Sequence, residues 1–253
     1  MAEESGKEKK VSFGYEEVAE HDRQGRVNEI FTSVASKYDL MNDLMSGGVH
    51  RLWKRFVANK TGLRPGGRAL DVAGGTADIA MLMAERVGAE GEVVVFDINH
   101  DMLKVGEARC IDKGFVKGIK FVRGNAEEIG FADNTFDCVT IGFGVRNVTH
   151  LDRAFSEMTR VARPGGRVIC LEFSHPKNPA FRKVYDIYSA NLIPMIGERI
   201  TGNRDAYTYL HESIRKFPTQ QKLKKIMEDA GLFNVRYYNL FGGIAAVHIG
   251  DKI

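Results

Sequence analysis

Residues Leu70 to Asp78, LDVAGGTAD, constrain the chain more than any other stretch. An apolar run, Ala69, Leu70 and Val72, carries an acid at Asp71 and ends in Gly74-Gly75; a helical pattern opens at Thr76. A strand passing through a glycine turn into a helix N-terminus is the place where an open α/β sheet receives a nucleotide-like ligand. Paired glycines let the turn close tightly and let a ligand approach the backbone without Cβ interference. The G-x-G-x-x-G spacing of a dinucleotide fold is absent. Asp71, inside the strand end, suits a cationic ligand better than a pyrophosphate. Taken alone the stretch also reads as an ordinary strand-to-helix turn.

Strand and helix patterns then alternate. Arg68–Val72 predicts a strand and Thr76–Val87 its helix; Gly91–Asn99 is a second strand, Asp101–Lys113 a helix and Ile119–Val122 a short strand. Phe136–Gly144 is the fourth strand, and the helix Leu151–Ala162 stops at Arg163-Pro164-Gly165-Gly166, a turn signal before the fifth strand, Gly166–Phe173. Such alternation implies a parallel sheet with right-handed crossovers. After Thr219–Ala230, a helix, the strands Phe233–Leu240 and Gly243–Ile249 are joined by Phe241-Gly242, short enough for an antiparallel hairpin. The expected fold is therefore α/β with seven strands, mostly parallel.

Three regions lie outside this repeat. Residues 1–12 read as a disordered polar tail. Residues 13–62 form a helical extension, with Val27, Ile30, Phe31, Val34 and Ala35 at helical spacing and Gly47-Gly48 dividing two short helices. Met41, Leu44, Met45, Leu52, Trp53 and Phe56 are expected to pack rather than to touch ligand. Within the domain 63–253, residues 176–218 interrupt the pattern as an insertion after the fifth strand. There Phe181, Val184, Tyr185, Tyr188, Leu192 and Met195 are expected on one helical face.

A length of 253 residues suits one domain with a substantial core. The net charge of +3, without any Lys/Arg block interleaved with aromatics, argues against nucleic acid. Cys110, Cys138 and Cys170 are odd in number and form no C-x-x-C, so buried free thiols in a reducing compartment are expected. The N-terminus has no signal-peptide core and no run reaches membrane-span length, giving a cytoplasmic protein or one peripheral on the inner face of the membrane. The seven histidines show no metal-binding spacing, and no metal is expected.

The candidate site gathers at the strand ends. Asp97 closes the second strand 26 residues after Asp71, where an acid accepts from two ribose hydroxyls. Asn125-Ala126 end the third strand, before a loop suited to an adenine ring. A glycine turn, a ribose acid, an adenine loop and a terminal antiparallel pair are together the pattern of Rossmann-like class I S-adenosylmethionine methyltransferases, which the segment from Leu63 to Ile249 resembles.

The likeness extends further. YDLMNDLMSGGVHRLWKR, DVAGGTAD, NAEEIGFADNTFDCVTI, FGVRNV, RPGGRVICLEFS and YLHESIRKFP resemble the ubiquinone/menaquinone biosynthesis C-methyltransferase family over nearly the full chain. The resemblance implies methyl transfer from S-adenosyl-L-methionine to a ring carbon of a demethylmenaquinol, a polyprenylated benzoquinol, or both. It places cofactor contacts at Thr76, Asp97, Asn125, Ala126 and Gly142, beside the strand-end residues Asp71, Gly74 and Gly75. Gly142 departs from the family's usual Ser, leaving only a backbone contact; Ala77 stands where Gly is usual, tolerable if its φ is helical.

Carbon methylation needs the adjacent ring hydroxyl deprotonated or its anion stabilised, and a phenol titrates near ~10. Arg146, beyond the fourth strand, is the candidate anion stabiliser, since a guanidinium is a poor proton acceptor. Tyr38 is the second catalytic candidate, polarising a water with Arg146 and an acid; His50 or His150 is the alternative base. Asn147 orients the ring or caps a helix. Phe181, Tyr185, Tyr188, Leu192 and Ile196 are expected to form a prenyl-tail channel, a face resting on the bilayer, or a homodimer interface or quinone-complex contact. A methyltransferase for another small acceptor and a non-catalytic scaffold are the competing readings.

Overall fold

The structure, a computed structural model, describes residues 9–253 apart from positions 38, 39, 41, 44, 45 and 202. Tyr38, Met41, Leu44 and Met45, and most of the expected tail, lie outside the described residues.

Seven strands form the central sheet: β3 (Arg68–Val72), β4 (Glu92–Asp97), β5 (Ile119–Arg123), β6 (Phe136–Gly142), β7 (Ala162–Phe173), β8 (Phe233–Leu240) and β9 (Ala245–Asp251). Their order is β5-β4-β3-β6-β7-β9-β8, with the first five parallel and β9 antiparallel to both neighbours. The chain moves outward from β3 through β4 to β5, then returns to β6 on the other side of β3. That reversal opens a crevice at the carboxyl ends of β3 and β6.

The central strands read as continuous apolar runs because both faces are covered. On one face, Val93, Val95 and Cys138 pack with α3 (Asp78–Val87), α4 (His100–Asp112) and α2 (His50–Lys60). On the other, Leu70, Val72, Val139 and Ile141 meet Phe155 and Met158 of α5 (Leu151–Val161) and Leu223 and Met227 of α9 (Gln220–Asp229). Leu70 is fully buried, worth about 1.5–3 kcal/mol relative to exposure. All three cysteines are free and buried, as expected.

The structure departs from the sequence reading in three places. Residues Lys10–Phe13 (β1) and Glu16–Ala19 (β2) form an antiparallel hairpin where a tail and then a helix were expected. A lone hairpin is marginal; this one is held from outside, with Phe13 stacked on Tyr209 at 4.6 Å and the Tyr15 N–H donating to Glu212. The helix α1 (Glu20–Val34) follows directly. At β7 the expected turn Arg163–Gly166 lies within the strand as a bulge, between the pairs Phe136–Ala162 and Cys138–Arg167.

The insertion folds as α6 (Pro179–Ile187), a π-turn (Tyr188–Leu192), α7 (Ile193–Thr201) and α8 (Arg204–Lys216). The π-turn shifts the helical phase, so the expected apolar face divides. Tyr185 is buried and Tyr188 and Ile196 are half-buried, whereas Phe181, Val184, Ile187, Leu192 and Met195 form the exposed stripe.

Candidate functional site

The crevice at the switch of strand order is an open cleft of about 900 Å³. Asp71, Gly74, Gly75, Thr76, Asp97, Asn125, Ala126 and Gly142 all line it. Their convergence follows from topology: each sits at or just beyond the carboxyl end of β3, β4, β5 or β6.

The floor is a tightly coiled backbone. Ala73, Gly75 and Ala77 all have positive φ, at 49°, 45° and 65°. Left-handed backbone costs an L-residue roughly 1–2 kcal/mol, and such strain gathers at ligand sites. Ala77 does not have the helical φ under which its methyl group was tolerable; it precedes α3 as its left-handed N-cap. At Gly75 a Cβ would stand 2.8 Å from Met102 Cε, the mobile end of that side chain, and 3.6 Å from Asp97 Oδ2. At Gly142 a Cβ would stand 2.4 Å from Ile79 Cδ1. The missing side chain is thus matched by a bulky neighbour on α3.

Two buried acids line the cleft, at the ends of the adjacent strands β3 and β4. Asp97 accepts from the backbone N–H groups of Gly75 at 3.0 Å and Asn99 at 2.8 Å. Burial nonetheless pushes its carboxyl up to about 6. A carboxylate offers about four lone-pair sites, so acceptor capacity remains for ribose hydroxyls. Asp71 accepts from the Thr140 hydroxyl at 2.6 Å, and burial pushes it up to about 7 against that bond and the Lys54 charge. The Asn125 Oδ1 accepts from the Glu127 N–H at 3.0 Å, shaping the turn after β5. A glycine-floored cleft with two acids, one of them poised to ionise, fits a ligand carrying a ribose and positive charge. That donor set fits S-adenosylmethionine.

Arg146 is not brought into this cleft. It lies in the Val145–Asn147 turn, its Nη1 pairing Glu172 at 2.9 Å and donating to the Phe143 carbonyl. Both side chains of the pair are almost wholly buried. The Arg146 Nε is buried without a partner. Burial raises the Glu172 carboxyl despite the Arg146 charge. Arg146 instead lines a neighbouring open pocket with Arg23, Thr149, Tyr209 and Lys216; Val148 lines both spaces. Asn147 lines the cleft, and its Oδ1 accepts from the Tyr209 hydroxyl at 3.1 Å.

The alternative bases lie elsewhere. His50 is buried, pairs with Asp43 at 2.9 Å and is held below the usual imidazole range chiefly by burial. His150 pairs with Glu20 at 2.6 Å. Neither lines the cleft.

Lys54, Asp78 and Phe143 line the cleft but were not singled out from the sequence. A signal existed for Lys54. His50, Trp53, Lys54, Val57 and Ala58 form the buried face of α2, so a lysine occupies a core position of an amphipathic helix. Its ammonium meets Asp78 at 2.6 Å, and Arg109 meets the other oxygen of Asp78 at 2.7 Å. Burial opposes ionisation of Asp78, but the two cations prevail and its carboxyl is lowered.

Comparison with solved structures places the fold. A SAM-dependent methyltransferase from Thermotoga maritima superposes with a TM-score of 0.64 at 16% identity, over 90% of this chain and all of that one. One from Aquifex aeolicus gives 0.61 at 18% identity, over 84% and 97%. Sequence likeness is much closer. The chain is 53% identical to the ubiquinone/menaquinone biosynthesis C-methyltransferase UbiE of Teredinibacter turnerae, over 97% of this chain and 98% of the relative. It is equally identical, 53%, to the UbiE of Ectopseudomonas mendocina, over 95% and 94%. Residues 18–252 match the model of the ubiE/COQ5 methyltransferase family, and the chain belongs to that family.

Proposed function

We propose that the acceptor is the ring of a prenylated quinol, a demethylmenaquinol or a polyprenyl methoxybenzoquinol or both, and that it enters beside Val148. The chain is an S-adenosylmethionine-dependent C-methyltransferase of ubiquinone/menaquinone biosynthesis. When bound, the cofactor supplies an electrophilic methyl group on a sulfonium. The observation that carries the reading is the convergence of eight sequence-selected residues, two of them buried acids, on one cleft.

Asp97 takes the ribose hydroxyls, Asn125 and Ala126 the adenine edge, and Gly74, Gly75 and Thr76 the backbone approach. Asp71 faces the cationic end. Gly142 contributes backbone only, as Ile79 fills the space of its side chain. The acceptor ring is assigned to the junction of cleft and cavity. The partnerless Nε of Arg146 supports this, because it leaves one donor for a ring oxyanion while Nη1 holds Glu172. Tyr38, outside the described residues, keeps its proposed role of polarising a water at that oxygen.

No helix among the described residues is long and apolar enough to cross a membrane. For a long-tailed acceptor we place the membrane contact on the exposed stripe Phe181, Val184, Ile187, Leu192 and Met195, which has Lys177 and Lys183 beside it in the chain. The stripe would then bind anionic vesicles in flotation, and Val184→Asp with Ile187→Asp would abolish it. Self-association without vesicle binding would assign the stripe to a second copy instead.

The central test is transfer of labelled methyl from S-adenosylmethionine to both reduced ring types under anaerobic conditions, with Arg146→Lys alongside. Lysine keeps a charge opposite Glu172 but lacks the second donor edge. Product on either ring, reduced about a hundredfold or more in the variant at unchanged cofactor affinity, is expected. Cofactor binding without product on either ring would leave a scaffold.

A further inference from the structure

Resting on the placement of the acceptor ring where the cleft meets the neighbouring pocket, we propose that Tyr209 is a positioning residue for methyl transfer. Its hydroxyl fixes the Asn147 side-chain amide so that Nδ2 is presented to the ring as a hydrogen-bond donor. Tyr209 belongs to YLHESIRKFP, a stretch of the insertion with no residue lining the cleft. It lies on α8, borders the neighbouring pocket and is 5% exposed. Its ring stacks on Phe13 of the β1–β2 hairpin at 4.6 Å, so the hydroxyl is carried by a ring held on its face. That hydroxyl reaches Asn147 Oδ1 at 3.1 Å, and Asn147 does line the cleft.

The hydrogen bonds of Asn147 leave one group to spare. Its main-chain N–H donates to the Gly144 carbonyl at 3.0 Å, its carbonyl accepts from Arg23 Nη1 at 2.7 Å, and its Oδ1 accepts from Tyr209. Among the described residues nothing accepts from Nδ2, and Nδ2 is not itself enclosed. Asn147 borders the cleft and not the neighbouring pocket, so the spare N–H groups open to the cleft. The direction of the Tyr209 bond sets this polarity. A phenol donates or accepts; an accepting Tyr209 would take Nδ2 and turn Oδ1 to the cleft. Burial, with Glu172 in support, holds the Tyr209 phenol above its usual range against the Arg23 and Arg146 charges, so the hydroxyl keeps its proton. The two guanidinium groups draw its lone pairs toward themselves, which leaves the proton for Oδ1. A donor matters because a ring oxygen gathers negative charge in the reaction, and a carbonyl in the same place would repel it. Arg23 thus fixes the main chain of Asn147 and Tyr209 its amide.

The test sets Tyr209→Phe, which keeps the ring and its stacking on Phe13 but removes the hydroxyl, beside Asn147→Ala, Asn147→Asp and the double change Tyr209→Phe with Asn147→Ala. Each full chain is assayed for methyl transfer to whichever reduced ring the unsubstituted chain accepts, and for S-adenosylhomocysteine binding by calorimetry. Loss of a donor to a developing oxyanion lowers kcat about a hundredfold, the fall expected for Asn147→Ala; Tyr209→Phe, whose amide is free to turn, should lose about tenfold. Acceptor KM should stay within about threefold and S-adenosylhomocysteine affinity within about twofold, because the donor acts on charge formed in the transition state. In the Asn147→Ala background, Tyr209→Phe should change kcat less than about twofold. Asn147→Asp keeps an acceptor for Tyr209 but sets an anion before the ring, and should fall below Asn147→Ala. An unchanged kcat in Tyr209→Phe, or losses that multiply in the double variant, would overturn the inference. So would a matching loss of S-adenosylhomocysteine affinity, since Tyr209 would then only prop the cleft. Should Tyr209→Phe fail to fold, the Asn147 variants decide: Asn147→Asp at or above Asn147→Ala would leave no role for a donor. Absence of product from the unsubstituted chain, despite S-adenosylhomocysteine binding, would instead overturn the acceptor reading itself.

Discussion

The cleft floor and its N-terminal cover are built in opposite ways. In the turn of the floor, residues 73–77 and the end of β4, polar groups are met by backbone: Asp97 by the amides of Gly75 and Asn99, and Ala77 N–H by the Gly74 carbonyl at 2.8 Å. The cover, from β1 to α2, is tied down by side chains reaching far along the chain. Arg23 donates to the carbonyls of Ser12, Arg146 and Asn147 and to the Thr149 hydroxyl; Asn99 donates to Asn28 and Thr32; Lys54 pairs with Asp78. The turn is thus closed by main-chain groups, whereas the cover depends on a few buried polar ties.

The largest effect separating the two belongs to the floor. Asp97→Ala strands two buried amide donors and removes the ribose acceptor. Hydrogen bonds to a charged group contribute about 1.5–3 kcal/mol each, so cofactor affinity should fall at least a hundredfold by calorimetry. A loss below tenfold would place the ribose elsewhere.

Cutting the cover should act locally. Arg23 is 7% exposed and satisfies four acceptors. Its replacement in Arg23→Met leaves buried carbonyls unpaired, at about 1–3 kcal/mol. Hydrogen exchange should show tenfold or greater loss of protection across 10–34 while the central strands keep theirs. Uniform loss through the sheet would mean that floor and cover are one cooperative unit.

The same contrast governs what the sequence made legible. Strand–helix alternation from Arg68 to Phe173 reports burial on both faces, so the sheet and the strand-end residues followed from pattern and position, while Gly142 was implied by the family resemblance alone. The β1–β2 hairpin did not, because its apolar partner Tyr209 lies nearly two hundred residues away and alternation over four residues is too short to distinguish from helix. Arg146 was placed correctly at a strand end, but its partner was overlooked. Glu172 in the apolar run VICLEF is a buried acid that demands a cation. Lys54 gave a parallel signal on α2. Charges at core positions were the informative misfits.

Solution pH offers a smaller lever on the floor. Burial raises Asp71 to about 7 and Asp97 to about 6 from ordinary values near 3.8. The folded ligand-free state therefore holds protons that the unfolded chain has released, and its stability should decline as pH rises from about 4 to about 7. A cationic ligand prefers the ionised acids, so affinity for S-adenosylmethionine should rise over the same interval. Parallel profiles for Asp71→Asn and the unsubstituted chain would remove Asp71 from the effect.

Two small substitutions probe how closely the floor is fitted. In Gly142→Ser the new Cβ meets Ile79 Cδ1, and overpacking costs about 1–3 kcal/mol. Ile79→Val deletes that carbon. The double variant should recover most of the melting-temperature loss of Gly142→Ser; additive losses would mean that the clash is relieved by backbone movement instead.

Ala77→Gly should give the smallest change, because three terms nearly cancel. Releasing the left-handed φ of 65° gains about 1–2 kcal/mol. Against this stand the lost burial of a methyl group that is fully enclosed, about 0.8 kcal/mol, and the wider freedom of glycine in the unfolded chain, about 0.4–1 kcal/mol. The melting temperature should therefore stay within a few degrees of the parent. Ala77→Val, with a branched Cβ in the same left-handed backbone, should fall well below both. A large loss for Ala77→Gly would mean that the methyl group's packing outweighs the relief of strain at the turn.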